Sequence, residues 1–165
     1  MNPYEHFLEG KDPLKVLAAT PARLKSLAKG LTPAQLARRV NKDKWSIHEI
    51  LTHLADCEAV FTVRCRWIAF EDNPTLVPFD QDKWNNGRQR EKEPAAETLE
   101  RFRVLRQAQL RLFRTAPKAD FERAGQHLER GRVTLGLTMR TAAGHDVNHL
   151  RQIEALRAAL RAKKS

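Results

Sequence analysis

The sequence has little of what marks exported and membrane proteins. Its 165 residues include only two cysteines, and no apolar run approaches the roughly 18 residues of a membrane span. The opening segment, MNPYEHFLEG, lacks the basic and apolar stretches of a signal peptide. We therefore expect a cytoplasmic protein with free thiols that makes no contact with a membrane.

Nucleic-acid-binding motifs are also missing. The chain has no zinc-finger spacing, no aromatic RNA-binding signature and no Gly-rich phosphate loop. The net charge is nevertheless +10, from 30 Lys and Arg against 20 Asp and Glu. Because the arginines are scattered among glutamates, we expect a solvated basic surface and no nucleic-acid partner. A basic nucleic-acid-associated protein is the alternative that the charge alone suggests.

Start and stop signals predict four main helices in a single domain, residues 1–165, which is long enough to bury a core without disulfides. Capping residues, prolines and glycines divide the chain into helices over about 12–30, 46–71, 94–116 and 134–165. Pro21 is expected to kink or split the first of them. Ser46 with Glu49, and Thr32 with Gln35, have capping-box spacing. Residues 72–93 read as a long polar loop, and residues 122–134 as an irregular or hairpin-like arm. No long alternating pattern predicts a strand, so the fold class is all-α, a helical bundle with long connections.

Three histidines stand out on the predicted helices. His145 and His149 are one turn apart on the flank of the apolar stripe of the last helix, and His53 lies at the edge of the stripe of the second. The i, i+4 spacing brings two imidazoles about 5–6 Å apart, within reach of one cation. A third imidazole from a facing helix would complete a face that leaves other coordination positions open. The alternative is a chance pair beside an ordinary, partly buried histidine.

The histidines belong to longer motifs. The blocks KWSIHEILTHLADCEAVFTVR, VPFDQDKW, GQHLERGRVTL and AGHDVNHLRQIE resemble the DinB-like superfamily, in its YfiT-like metal-binding branch. The resemblance implies an antiparallel four-helix bundle, often homodimeric, that holds a divalent metal such as nickel or zinc. By motif position, the ligands would be His53, His145 and His149. Relatives include thiol S-transferases and a mycothiol-dependent isomerase, and many are named only as metal-dependent hydrolases.

Four further side chains are candidates for the site. Asp146 and Glu58 are carboxylates on apolar stripes, where each would either accept the N–H of a ligand imidazole or pair with an arginine. We favour the contact with an imidazole for Asp146 and keep both alternatives for Glu58. Cys57, one turn from His53, is either a sulfur ligand or a small packed residue, and we favour packing. Arg64 lies on the side of the helix that carries His53, and is a candidate to bind an anionic thiol cofactor or substrate.

We expect a metal-dependent enzyme acting on small molecules. Its metal would activate a low-molecular-weight thiol toward an electrophile, or a water toward a hydrolysable substrate. Because no general base is evident beside the histidines, thiol transfer is slightly favoured. The alternative from another class is a non-catalytic metal-binding stress-response protein.

Overall fold

The computed structural model describes residues 2–87 and 93–162. Its helices are α1 (Glu5–Leu8), α2 (Pro13–Ala28), α3 (Pro33–Ala37), α4 (Ile47–Phe70), α5 (Gln81–Asn85), α6 (Ala95–Thr115) and α7 (Leu135–Ala162), with a 3-10 turn at Lys118–Glu122. Three short strands are β1 (Thr75–Leu76), β2 (Ala124–His127) and β3 (Gly131–Thr134). None of these helices combines the length and apolar character needed to cross a membrane.

The four long helices form a bundle, as predicted. Helix α4 packs against α6 and α7, and α2 packs against the same two helices, so that each helix has two neighbours. Apolar side chains fill the interior in two clusters, one around Leu17, Ile68 and Phe113 and the other around Ile50, Phe102 and Ile153. Helices α4 and α7, which carry the three candidate histidines, are therefore direct neighbours.

The helix starts follow the predicted caps. Ser46 accepts from the backbone N–H of Glu49, whose carboxylate accepts from the Ser46 N–H at 2.7 Å, which completes the capping box of α4. Asp12 caps α2, and Thr134 accepts from the N–H of Leu137 at the start of α7. These local hydrogen bonds satisfy N–H groups that the first helical turn cannot pair internally.

The connections follow the prediction only in part. Pro21 does not split α2, which is continuous from Pro13 to Ala28. The predicted loop at 72–93 contains β1 and α5, although residues 88–92 of it lie outside the described residues. The predicted arm is a hairpin in which β2 pairs antiparallel with β3 and parallel with β1. Strands of two to four residues are too short to show an alternating pattern in the sequence.

Candidate metal centre

Three imidazoles meet between α4 and α7. The Nε2 atom of His145 lies 3.0 Å from Nε2 of His53 and 3.1 Å from Nε2 of His149. All three side chains are buried. The helix pairing in the bundle thus brings together the three histidines that the sequence singled out, with Nε2 of His145 close to Nε2 of each of the other two.

Hydrogen bonding alone does not explain this convergence. The Nδ1 atom of His149 lies 3.0 Å from Oε1 of Gln152, and since an amide oxygen only accepts, that Nδ1 carries the proton. Nε2 of a neutral His149 is then an acceptor. The single hydrogen that Nε2 of His145 can carry cannot point straight at both of its neighbours. A shared cation accounts for three converging lone pairs better than a hydrogen-bonded cluster does.

The protonation state of the rings suits ligation. Burial, together with the neighbouring imidazoles, lowers the pKa of His53 to about 3 and that of His145 well below its ordinary value. Burial also lowers the pKa of His149, against the opposing effect of the hydrogen bond to Gln152. All three rings are therefore neutral at physiological pH, which is the state in which imidazole binds a metal.

The distances fit a single divalent ion. Two nitrogens bound to zinc at a tetrahedral angle lie about 3.3 Å apart, and a nitrogen and a thiolate sulfur about 3.5 Å. The two nitrogen separations of 3.0 and 3.1 Å are close to the first value. Cys57 adds a sulfur atom 3.6 Å from Nε2 of His53. The group whose potential ligand atoms all lie within 4.8 Å of one another is His53, Cys57 and His145. His149 is outside that group and adjoins it through the contact of its Nε2 with that of His145.

The thiol of Cys57 is nevertheless poorly suited to ionise. Burial raises its pKa above the ordinary value, and the nearby carboxylates of Asp56, Asp146 and Glu58 raise it further. The thiolate, not the thiol, is the form that binds metals tightly. Cys57 is free of disulfide, as is Cys65, which agrees with the expectation from the sequence.

The two carboxylates proposed from the sequence lie around an arginine of α6. Arg106, itself fully buried, donates to Asp146 Oδ2 at 2.6 Å and to Glu58 Oε2 at 2.7 Å. Burial by itself would lower the pKa of Arg106, but the two carboxylates raise it above its ordinary value, so the guanidinium is always charged. This is the ion-pair alternative that the sequence left open, and Arg106 is the partner that the sequence did not identify.

Aromatic side chains enclose the imidazoles. The Trp45 ring lies 4.8 Å from that of His53 and stacks at 6.4 Å on that of His149, while Tyr4 contacts the edge of His145 at 5.1 Å. In the amide orientation that satisfies both of its groups, Asn85 of α5 accepts from Trp45 Nε1 at 3.2 Å. Sequence reasoning gave no role to Tyr4, Trp45 or Gln152, although Gln152 has the i, i+3 spacing from His149 that allows their contact.

The placement of Tyr4 also explains Gly144. A Cβ atom at position 144 would lie 2.3 Å from the backbone oxygen of Tyr4 and 2.8 Å from its Cβ. Only glycine lets the N-terminal segment pack this closely on α7. The residue before His145 is therefore small because another part of the chain covers the helix there.

Arg64 does not contact the imidazoles in the structure. It lies further along α4, is 8% exposed, and donates to the carbonyl oxygen of Val77. Phe61, three residues earlier, has its ring 6.3 Å from that of His145. The side chain of Arg64 lines a cavity beside the metal centre, together with His127.

Comparison with known proteins agrees with this architecture. The profile of the DinB superfamily matches residues 17–153. The chain is 26% identical over 136 residues to a "Putative metal-dependent hydrolase" of Oceanobacillus iheyensis, covering 82% of this chain and 78% of that protein. It is 25% identical over 147 residues to "Putative metal-dependent hydrolase YfiT" of Bacillus subtilis, covering 87% and 81%.

A solved structure shares the fold. YfiT from Bacillus subtilis, described as having an unusual four-helix bundle topology, superimposes with a TM-score of 0.82 at 23% sequence identity. The match covers 87% of this chain and 83% of that one. It includes most of the bundle, and so the arrangement of long helices is common to both proteins.

Proposed function

This chain belongs to the DinB superfamily, and from that premise we propose that it is a metal-dependent enzyme acting on small molecules. His53, His145 and His149 hold one divalent transition metal, zinc or nickel. The observation that carries the proposal is the convergence of three buried, neutral Nε2 atoms with separations of 3.0 and 3.1 Å. The names of its relatives as metal-dependent hydrolases agree with it.

A bound divalent ion supplies Lewis acidity, which lowers the pKa of a thiol or water toward neutrality. The chain contributes three neutral ligands, so no ligand charge offsets that of the ion. Gln152 keeps the proton of His149 on Nδ1 and leaves Nε2 free to bind. The rings of Trp45 and Tyr4 cover the imidazoles and limit the access of bulk water.

The reaction is thiol transfer to an electrophile or hydrolysis, and the surrounding carboxylates favour thiol transfer. Asp146 and Glu58, which flank the imidazoles in sequence, both accept from Arg106 and are not available as a general base. Such a base would assist attack by water, whereas a thiol whose pKa an ion lowered would need no base to become a nucleophile. The co-substrate in this reaction is a low-molecular-weight thiol. The hydrolase alternative rests on the names of the relatives.

Metal content tests the site directly. The protein is purified without an affinity tag, and its metals are measured by inductively coupled plasma mass spectrometry. We expect about one zinc or nickel per chain, because three imidazoles bind a single ion, and a loss of at least tenfold in His149→Ala. His48→Ala is the matched control, since His48 belongs to the same helix as His53 but contacts the backbone oxygen of Glu93 instead. Equal metal content in wild type and His149→Ala contradicts the site.

Assays of turnover distinguish the proposed enzyme from the two alternative functions. The metal-loaded protein is tested against thiols paired with electrophiles, and against esters and amides. If the protein binds metal but turns over neither the thiol and electrophile pairs nor the esters and amides, the result supports a non-catalytic stress-response protein instead. Salt-dependent DNA binding that survives the loss of all three histidines supports a basic nucleic-acid-associated protein.

We also propose that the protein works as a homodimer in the cytoplasm. Val63, Trp67 and Phe70 lie on one face of α4 and are 46%, 37% and 72% exposed. Their spacing of four and three residues places them along one apolar stripe. An exposed apolar stripe is typical of a surface that another protein covers, and a second copy of the same chain is the commonest partner.

A further inference from the structure

Arg64 is a buried cation without a carboxylate partner. Its guanidinium donates to the carbonyl oxygen of Val77, and within residues 2–87 and 93–162 no carboxylate oxygen lies in ion-pair distance of it. Burial lowers its pKa from the ordinary value and repulsion from Arg130 lowers it further, and the carboxylate of Glu129, beyond ion-pair distance, opposes these effects only in part. A buried charge is costly unless an opposite charge or several hydrogen bonds compensate for it. The fold keeps Arg64 in an unfavourable state that an anionic ligand would relieve.

Arg64 faces two adjoining cavities that it lines together with His127 and Arg130. The inner cavity, about 50 Å³, is also lined by Arg132 and Thr141, and has no carboxylate in its lining. It has room for a group the size of a few water molecules. The outer cavity, about 310 Å³, is also lined by Tyr4, Phe79, Asp80 and Glu129. Arg64 and Arg130 thus line both cavities, whereas the acidic side chains Asp80 and Glu129 line only the outer one.

His127 adds a neutral donor. Its Nδ1 accepts from the backbone N–H of Glu129 at 3.2 Å. Burial and the nearby Arg64 and Arg130 lower its pKa, so the ring is neutral and the proton is on Nε2. The N–H of neutral His127 and the guanidinium groups of Arg64 and Arg130 are together suited to donate hydrogen bonds to an oxyanion.

The cavities adjoin the metal centre. Phe61 lines the inner one and lies 6.3 Å from the ring of His145, while Tyr4 lines the outer one and lies 5.1 Å from the same ring. Thr141, also in the inner lining, is one helical turn before His145 on α7. The cavities at Arg64 and the imidazoles therefore share Phe61 and Tyr4 as neighbours.

We propose that Arg64, Arg130 and His127 form a subsite for an oxyanion, a carboxylate or phosphate group, carried by the substrate or the thiol co-substrate. The inference rests on the proposed function, and it narrows the substrate class to anionic small molecules. Such a molecule would extend from the metal centre to the inner cavity, with its charged end against Arg64. Binding at one end would hold the reacting end near the ion.

Isothermal titration calorimetry of the full chain with sodium malonate and with inorganic phosphate tests the subsite. We expect binding in the millimolar range, roughly, and a loss of at least tenfold in Arg64→Met. Arg66→Met is the matched control, because Arg66 is on the same helix and donates to the Thr62 carbonyl oxygen without lining the cavities. A preference for malonate identifies a carboxylate ligand, and a preference for phosphate identifies a phosphate ester.

Two further variants distinguish failure of the anion subsite from failure of the metal site. Arg130 lies in the exposed hairpin turn, and Arg130→Gln should also lower the affinity for the anion at least tenfold. This variant tests the subsite if Arg64→Met does not fold. His149→Ala should keep the anion affinity while it loses the metal, which shows that the anion is not bound by the ion. The inference is overturned if neither anion binds the wild type, or if Arg64→Met and Arg130→Gln bind as tightly as Arg66→Met. If the wild type contains no metal but still binds the anion, the metal site is wrong and the anion subsite stands.

Discussion

The thiol of Cys57 determines how many positions around a bound ion remain open. Its sulfur lies 3.6 Å from Nε2 of His53, a separation that a fourth ligand could have. Three imidazoles alone leave an open position for substrate, whereas three imidazoles and a thiolate make a closed, structural site. Burial, and then the nearby carboxylates, raise the pKa of Cys57 and favour the protonated thiol, which argues for the open form.

Cys57→Ala should therefore keep about one metal per chain, since the three histidines suffice to bind it. Metal content and affinity are measured by mass spectrometry and by competition with a chelator, with Cys65→Ala as the matched buried cysteine. Loss of a residue that only orients a ligand lowers metal affinity by roughly 10–100-fold. If Cys57 is itself a ligand, its replacement should lower the affinity by at least as much. A drop of that size in Cys57→Ala alone would mean a closed site and would support the non-catalytic alternative.

At this scale the sequence predicted the candidate ligands but not their surroundings. His145 and His149 are recognisable from their spacing on one helix, and His53 from the motif around it. Tyr4 and Arg106 contact the site through the packing of α1 and α6 on the bundle, and no local pattern encodes such distant contacts. The ion pairs of Asp146 and Glu58 could not be predicted for the same reason, because the arginine that both carboxylates contact is at least 40 residues away from each along the chain. The structure gives Asp146 this arginine as its partner, where the sequence favoured an imidazole.

At the scale of elements, the contact between α7 and the N-terminal segment depends on Gly144. Alanine in a helix is more favourable than glycine by about 1 kcal/mol, so Gly144→Ala would stabilise α7 in isolation. In the folded protein, the new Cβ would lie 2.3 Å from the Tyr4 oxygen, which also accepts from the N–H of Phe7. The steric conflict involves backbone, which a rotamer change cannot relieve.

We therefore expect Gly144→Ala to destabilise the protein, by about 1–3 kcal/mol as for other overpacked sites, in urea unfolding. Hydrogen exchange should show loss of protection in residues 5–8. The same substitution in a chain that lacks residues 1–11 is the control, and there it should be neutral or stabilising. A full-length Gly144→Ala that unfolds at higher urea than wild type would show that the N-terminal segment does not constrain this position.

Elements with local signals were predicted well, and those that depend on distant pairing were not. The capping boxes at Thr32 and Ser46 involve residues three apart, and both are present in the structure. Strand β1, by contrast, exists because Thr75 and Leu76 pair with Gln126 and His127, some fifty residues later. A two-residue strand has no periodicity of its own, so residues 72–93 read as a loop.

At the scale of the whole molecule, the net charge of +10 is dispersed over the surface. Several arginines pair with carboxylates. Arg23 pairs with Glu154 on a neighbouring helix at 2.6 Å, and Arg103 pairs with Glu100 on its own helix at 2.5 Å. Nucleic-acid binding requires a continuous basic patch or stripe. Interspersed pairs of opposite charge do not form one, and so the charge by itself is weak support for a nucleic-acid function.

The apolar stripe of α4 makes a prediction about assembly. Isolated exposed apolar residues are normal on a protein surface, but Val63, Trp67 and Phe70 are aligned along about two turns of one helix. Pairing of this face with its symmetry mate would bury all three side chains in a two-fold interface. Sedimentation velocity should show a dimer for the wild type and a monomer for Trp67→Lys, because a charge on each subunit would be buried at the centre of that interface.

Trp84→Lys is the matched control, since Trp84 is also an exposed tryptophan, 49% accessible, but lies on α5 against Phe79 rather than on this face. It should remain dimeric, and both variants should keep their metal, because neither tryptophan contacts the three imidazoles in the structure. A wild type that sediments as a monomer at micromolar concentration would rule out this dimer. If Trp67→Lys stays dimeric, the dimer interface lies on another surface. A different partner would then have to cover the apolar stripe.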